Sequence, residues 1–301
     1  AKDYLCEQAD VNFQLKSLFK IELNNSKLFS LFDEIEIPLL KVLAEMEIEG
    51  INLDIKFLES LKKDLITDIS TLEKLIYTEA GENFNISSPK QLGEVLFEKM
   101  QLVKNPKKTK TGQYSTSEDI LKDLSIEHEF VKNILKYRSL TKLMSTYVDS
   151  LPNQVLNTTN RVHTEYLQTV ASTGRLSSIN PNLQNIPIRT ERGREVRKAF
   201  IPRDENHFLM AADYSQIELR IIASMSEEKN MIEAFNKNED IHSSTASTVF
   251  NIPVNEVTKT QRSNAKTVNF GIIYGVSAFG LSNQTDLSRS ESKELIETYY
   301  N

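Results

Sequence analysis

In the stretch TQRSNAKTVNFGIIYG, Thr260 to Gly275, Arg262 and Lys266 stand four residues apart, and Phe270 and Tyr274 continue at the same interval. A helix turns about 100° per residue, so a step of four advances about 40° around its surface. Arg262, Lys266 and Phe270 therefore share one face, with Tyr274 at its edge. Two cations on one helical stripe suit a polyphosphate, whose charge is spread over several Å. A ring one turn further along suits a base stacked beyond the phosphates. An amphipathic helix with a basic wet side fits the same spacing. A second group lies in AADYSQIELR, Ala211 to Arg220. The apolar run HFLMAADY, from His207, predicts a buried strand that ends in Asp213. A carboxylate there is desolvated unless it meets a cation, and Mg²⁺ is the usual one beside phosphates. Glu218 follows at the head of a helix, where an acid also complements the helix dipole. A third group lies in TGRLSSINPNLQNIP, Thr173 to Pro187. Its Arg175, Asn182, Gln184 and Asn185 are donors that reach minor-groove acceptors without reading sequence, or else hold the loop together through Asx turns. No GxxxxGK[ST] phosphate loop is present, which excludes a P-loop.

Elements that could carry these groups are mostly helical. Apolar residues at helical spacing run from Leu31 to Glu49 and stop at Gly50, a natural C-terminal cap. Asp54 is placed to cap a helix to about Ala80, ended by Gly81. Ser88 and Pro89 give a cap and a first-turn proline. NPKKTKTGQYS, Asn105 to Ser115, is polar, lysine-rich and loop-like. A long helix is predicted from about His128 to Ser150, closed by Pro152. RVHTEYLQTVAS, from Arg161, is β-branched and alternating, which predicts strands. Helices resume at SQIELRIIASM and continue to the end, where Ser288 and Glu291 form a capping box.

The chain has 301 residues, 39% hydrophobic and 26% charged, a composition ordinary for a soluble globular protein with room for two or three domains. No apolar run approaches the roughly 20 residues of a membrane span. Cys6 is the only cysteine, which excludes an internal disulfide and a cysteine-rich zinc site, and a reducing cytosol is the simplest compartment. The net charge of −6 argues against a nucleic-acid partner, but phosphate affinity follows local charge. Lys104, Lys107, Lys108 and Lys110 form one basic cluster. Arg189, Arg192, Arg194, Arg197 and Lys198 form another. Each is also readable as ordinary solvated surface. The sequence lacks an initiator Met and its last helical pattern runs into Asn301, so a longer parent protein is expected.

Taken together, these stretches resemble the family A DNA polymerases of the bacterial DNA polymerase I type. DYSQIELR resembles that family's motif A. RSNAKTVNFGIIYG resembles motif B, with R-x3-K-x3-F-x3-YG intact. TGRLSS followed by NPNLQNIP is similar to the segment ahead of motif A. Quieter similarities lie in SPKQLGEVLFEKM, KKTKTGQYSTS, YRSLTKLMSTYVDSLP and RVHTEYLQTV. The resemblance implies an α+β, mostly helical, right-hand polymerase fold, incomplete at both ends here. It implies an exonuclease-like remnant at 1–24, a connecting helix at 25–53, thumb at 54–145, palm at 146–217 and partial fingers at 218–301. It implies template-directed DNA synthesis from dNTPs on primer–template DNA, in replication and repair, with two Mg²⁺ ions, by a cytoplasmic, nucleoid-associated monomer with no membrane partner. Asp213 would bind both ions, with the Tyr214 carbonyl as a further ligand. Glu218 would crowd the sugar 2′ position. Arg262, Lys266 and His242 would contact the triphosphate, and Lys266 would protonate the leaving pyrophosphate. Phe270 would pack on the incoming nucleotide, its Phe identity resembling members that discriminate against dideoxynucleotides. Tyr274 would lie at the template side of the nascent pair. Arg175, Asn182, Gln184 and Asn185 would line the primer–template minor groove. For His128 and His207 the resemblance offers no role, and structural or surface positions are expected; His163, in RVHT, is expected to be structural.

Two departures qualify it. The family's motif C, a histidine followed by two acids, is not in these residues, so the 301-residue piece is expected not to polymerise by itself. DYLCEQADVNFQL resembles the last motif of the family's proofreading exonuclease, with Tyr4 in place. Gln8 stands where a metal-binding Asp belongs, and Asp10 is two residues out of register, so no proofreading is expected. Two rivals remain: a single-subunit RNA polymerase, which Glu218 opposes, and a DNA-binding module without catalysis.

Overall fold

The computed structural model describes residues 2–188, 190–250, 252–282, 285 and 287–300. The chain divides into two compact units, Ala1–Leu209 and Met210–Asn301.

The first unit opens with α1 (Lys2–Asn25), which buries none of its side chains. After α2 (Phe29–Leu31) a π turn at Phe32–Glu36 leads into α3 (Ile37–Glu49). As the apolar pattern requires, the helix ends at Gly50, whose φ is 63°. β1 (Asn52–Leu53) follows. Asp54 then caps α4 (Ile55–Ala80) by accepting from the Phe57 N–H at 2.9 Å, and Gly81 closes it in the left-handed region. Ser88 caps α5 (Pro89–Glu94), which continues as a π turn over Val95–Lys99. The lysine-rich loop folds back on itself, with Lys108 paired to Tyr114. Next come α6 (Glu118–Ser125) and α7 (Glu129–Leu143), the latter prolonged by a π turn to Val148. His128 is the N-cap residue of α7.

Strands in this unit are short and antiparallel: β2 (Val155–Leu156) pairs with β3 (Arg161–Val162), and β4 (Glu165–Leu167) with β5 (Ser177–Ile179). After α8 (Glu191–Lys198), β6 (Phe200–Ile201) pairs with β1. The expected strand character therefore stops at Leu167, and Thr169 to Ser172 lie outside it. Leu58, Leu61, Leu65, Leu72 and Ile76 of α4 recur at helical spacing and are buried. The first four join one core with Leu140, Leu143, Tyr147 and Val196, while Ile76 joins a second with Leu96, Leu121 and Ile134. Burying each such side chain contributes about 1.5–3 kcal/mol. His163 is structural: its Nδ1–H donates to the Glu47 carbonyl and its Nε2 accepts from Thr159 Oγ1, each at 2.7 Å. His207 is at the surface beside Asp204.

The second unit holds α9 (Ile217–Ser226), α10 (Lys229–Asn236), α11 (Ile241–Phe250), α12 (Lys259–Ile273), α13 (Ala278–Ser282) and α14 (Arg289–Tyr300). The capping box predicted for α14 is present: the Ser288 N–H donates to Glu291 Oε2 at 2.7 Å and the Glu291 N–H to Ser288 Oγ at 3.2 Å. Asn301 lies outside the described residues.

One expectation fails. HFLMAADY is not a buried strand. Phe208 and Met210 are each 90% exposed, and Asp213 at its end is exposed as well. Burial of a strand requires a neighbour that pairs with its backbone. Among the described residues none pairs with positions 207–214.

Gly50 gives a test of the first unit. A Cβ there would lie 2.6 Å from the Val162 carbonyl oxygen and 2.7 Å from His163 Nδ1, whereas at Gly81, also at positive φ, nothing lies within 4 Å. Gly81→Ala is expected to cost about 1 kcal/mol in strain alone, and Gly50→Ala at least about 2 kcal/mol more because backbone must move. Thermal unfolding of the two variants measures this; equal losses would show that the close approach at Gly50 is not real.

Candidate functional site

α12 begins with a reciprocal cap. Thr258 Oγ1 accepts from the Gln261 N–H at 3.2 Å, and the Thr258 N–H donates to Gln261 Oε1 at 2.9 Å. That cap fixes the start of the helix, and burial fixes its rotation. Ala265, Val268, Asn269 and Ile272 are buried. Val268 and Ile272 pack with Leu281 and Leu295, while Phe270 and Ile273 pack against Leu219, Ala223 and Phe235. Arg262 and Lys266 are left on the exposed side, as the spacing predicts, and Tyr274 is the C-cap residue before Gly275, whose φ is 70°.

Each of these residues meets a defined neighbour or stays in water. Arg262 donates from Nε to Asp240 Oδ2 at 2.5 Å and from Nη2 to Asp240 Oδ1 at 3.0 Å. Asp240 is itself held by the Ser243 N–H at 3.2 Å and the Ser243 hydroxyl at 2.6 Å. Burial alone would raise its pKa, but the Arg262 guanidinium and the Ser243 hydroxyl overcome this and hold it at about 2. His242 is 3% exposed; its Nδ1 lies 3.0 Å from Asn269 Nδ2 and its ring centroid 5.9 Å from that of Phe270. Burial pushes its pKa down, opposed by Asp240 and reinforced by Arg262 and Lys266, so the ring is neutral at pH 7. Lys266 has no ion-pair partner among the described residues. The Tyr274 hydroxyl donates to Glu218 Oε2 at 2.9 Å, joining the end of α12 to the head of α9.

Ser215, Gln216 and Arg220 share a cleft of about 420 Å³ with Asp240 and Arg262. Arg220 is restrained there, donating to the Ser215 carbonyl at 2.9 Å and lying 4.5 Å over the Phe235 ring. Asp213 and Tyr214 stand just before it, both exposed. The desolvated carboxylate expected at Asp213 is thus a solvated one, because the strand that would bury it is unpaired. Among the described residues no three His, Cys, Asp or Glu side chains group to hold a metal. A Mg²⁺ ion brought by phosphates needs only one or two protein carboxylates. The hard oxygens of Asp213 and the Tyr214 carbonyl fit that part.

The third predicted group lies in the Ala1–Leu209 unit. Asn182 Oδ1 accepts from the N–H groups of Gln184 at 3.0 Å and Asn185 at 3.2 Å, an Asx turn. Its amide donors remain on the exposed side. Tyr147 anchors the loop by donating to the Asn185 carbonyl at 2.5 Å. Asn182 and Asn185 line a groove of about 920 Å³ with Arg138, Lys142, Thr146 and Tyr147. Arg175 and Gln184 are exposed and outside that lining. Arg138 reaches the Thr116 carbonyl at 2.7 Å, and burial lowers its pKa. Of the second basic cluster, Arg192 is tied to Asp68 at 2.8 Å and Glu195 at 2.8 Å, and Arg197 Nη2 to the Ile186 carbonyl at 2.9 Å. These two arginines tether α8, Arg192 half-buried and Arg197 still exposed; Arg189 lies outside the described residues. Lys104, Lys107, Lys108 and Lys110 are exposed.

Sequence reasoning missed Asp240, Asn269, Arg138 and Lys142. Asp240 carried a signal, since an Asp immediately before an apolar residue, here Ile241, is a helix-start pattern. The others carried none beyond helical position.

The family model described as DNA polymerase family A matches residues 55–301. The chain belongs to DNA polymerase family A. Over 299 residues this family A chain is 48% identical to the DNA polymerase I of Bacillus caldotenax, a span of 99% of the chain and 34% of that relative. It is 48% identical over 278 residues to the DNA polymerase I of Bacillus subtilis (strain 168), covering 92% and 31%. The chain thus spans about a third of the length of these curated relatives. A solved structure, the POL domain of Pol1 from M. smegmatis in complex with DNA primer–template and dNTP, superposes with a TM-score of 0.87 at 43% identity, over 96% of this chain and 50% of that one. The architecture is the mostly helical, right-hand polymerase fold.

The Asp240–Arg262 pair is open to titration. Its depressed folded-state value lies below the ordinary aspartate value of about 3.9. The pair's stabilisation is therefore present above about pH 4 and is lost as pH falls through about 2. Carboxyl ¹³C NMR is expected to find Asp240 titrating near 2, and Arg262→Gln is expected to raise it, leaving burial opposed chiefly by the Ser243 hydroxyl. An unchanged value in Arg262→Gln would show that the guanidinium is not the cause.

Proposed function

We propose that this chain forms the nucleotide- and duplex-gripping part of a DNA-directed DNA polymerase, which adds dNTPs to a primer 3′-hydroxyl by two-metal nucleotidyl transfer. The observation that carries the reading is the Tyr274–Glu218 hydrogen bond at 2.9 Å, which joins the ends of motifs A and B within one unit. The relatives, each a DNA polymerase I, and the primer–template and dNTP in the M. smegmatis complex support it.

In this reading the 3′-hydroxyl gives its proton to water, its oxygen forms a bond to the α-phosphorus, the bond from that phosphorus to the bridging oxygen breaks, and pyrophosphate leaves. Two Mg²⁺ ions, when bound, supply activation of the hydroxyl and neutralisation of the leaving group. Asp213 and the Tyr214 carbonyl provide oxygen ligands. Arg262 and Lys266 hold the triphosphate along α12, and Lys266 Nζ gives a proton to the pyrophosphate. His242 reaches the phosphates only if its buried ring becomes accessible. Phe270 supports the base and sugar, and Tyr274 the template side. Glu218, held by Tyr274, fills the space a 2′-hydroxyl needs, which favours DNA over RNA synthesis. Asn182 and Asn185, with Arg138 and Lys142 in their groove, grip the duplex with Arg175 and Gln184, and the exposed lysines of the 105–115 hairpin hold its backbone. Catalysis is then mostly positioning and charge stabilisation. Residues 54–145 serve as thumb, 146–217 as palm and 218–301 as fingers, with 25–53 connecting and 1–24 derived from an exonuclease-like domain. Gln8, neutral where a metal-binding acid belongs, removes proofreading. The 301 residues alone do not polymerise, because the resemblance supplies them one metal-binding side chain, Asp213.

Primer extension tests this on the 301-residue chain and on the gene's complete product. The first is expected to be silent. In the second, Lys266→Ala is expected to lower nucleotide incorporation at least about 100-fold, the scale of losing general acid and charge stabilisation. Duplex affinity should stay within a few-fold. Unchanged incorporation in Lys266→Ala would end the catalytic reading and leave a DNA-binding module.

A further inference from the structure

Asp240 belongs to none of the motif positions assigned a role above, yet it makes a two-point contact with one of those side chains, Arg262. Its two carboxylate oxygens take Nε and Nη2 of Arg262 side-on, at 2.5 and 3.0 Å. Such a bidentate grip fixes the plane of the guanidinium as well as its place. It leaves Nη1 and the second Nη2 hydrogen engaged by no described residue. The carboxylate cannot swing with its partner, because the Ser243 N–H and hydroxyl hold Oδ2. Its backbone is fixed too, since the Ser244 N–H donates to the Asp240 carbonyl at 2.9 Å as α11 begins. Both side chains line the cleft that also contains Ser215, Gln216 and Arg220 of motif A.

We propose that Asp240 is a positioning residue for the incoming triphosphate: it pins Arg262 so that the free edge of the guanidinium is set for a phosphate oxygen before the nucleotide arrives. The inference rests on the reading of Arg262 as a triphosphate contact. An exposed arginine without such an anchor samples many rotamers, and ordering it on binding weakens affinity. Pinning it beforehand removes that loss. Asp240 lowers the net charge of the site, but a phosphate still finds directed N–H donors at the outer edge.

The test uses Asp240→Asn. Asn caps helices as well as Asp does, so α11 should stay folded, while the charge and one acceptor oxygen are lost. Binding of dATP with Mg²⁺, and of inorganic tripolyphosphate, to the 301-residue chain is measured by calorimetry, with thermal unfolding as the check on folding. Asp240→Asn is expected to weaken both ligands about five-fold, the scale of ordering one long side chain. In an Arg262→Ala background the same change should have no further effect. In the gene's complete product the KM for dNTP should rise while kcat moves less. Undiminished or tighter binding by Asp240→Asn would overturn the proposal, as would an equal loss with and without Arg262, which would mean that Asp240 acts on the ligand by a route other than the guanidinium. Failure of the unaltered chain to bind either ligand would bring down the triphosphate reading of Arg262 and this inference with it.

Discussion

The rotation of α12 about its own axis governs the Met210–Asn301 unit. Four of its residues, Ala265, Val268, Asn269 and Ile272, are buried. Two hydrophobic clusters grip it, one through Val268 and Ile272, the other through Phe270 and Ile273. Turning the helix by one residue would carry a cation toward those clusters, and an unpaired buried charge is costly. The apolar face therefore holds Arg262 and Lys266 in water. The same rotation presents the end of the helix to α9, where the Tyr274 hydroxyl finds Glu218.

Electrostatics in this unit is local. The whole chain carries a net charge of −6, yet the exposed side of α12 is basic. Arg262 is balanced by Asp240, and Lys266 has no such partner among the described residues. Burial keeps His242 neutral between them. In the proposed reaction this gives the triphosphate one cation already oriented and one still free to move, a division of labour suited to binding and proton donation.

In the Ala1–Leu209 unit a single long helix, α4, joins two cores, so the groove beside α7 rests on a rigid base. The loop facing that groove is stiffened by its own side chains. The acceptor of Asn182 is consumed by two backbone N–H groups, so what it offers outward is a pair of donors. Acceptors are what a duplex presents in its minor groove. Of the arginines that sequence grouped in a basic patch, Arg192 is held by Asp68 and Glu195, while Arg197 tethers α8 and stays exposed.

Sequence by itself determined the helices and their ends. Asp54, Ser88 and Ser288 cap the helices they precede, and Gly50 and Gly81 end theirs, because donor and acceptor lie within four residues and the spacing encodes the bond. It also fixed which face of α12 carries charge, since burial of an apolar stripe follows from periodicity. Tertiary structure decided whatever depends on chain segments meeting. Asp240 finds Arg262 across 22 residues and Glu218 finds Tyr274 across 56, with nothing in their spacing to announce it. The run HFLMAADY shows the same limit from the other side: its composition asks for a strand, but a strand exists only where a second one pairs with it, and that depends on the path of the rest of the chain.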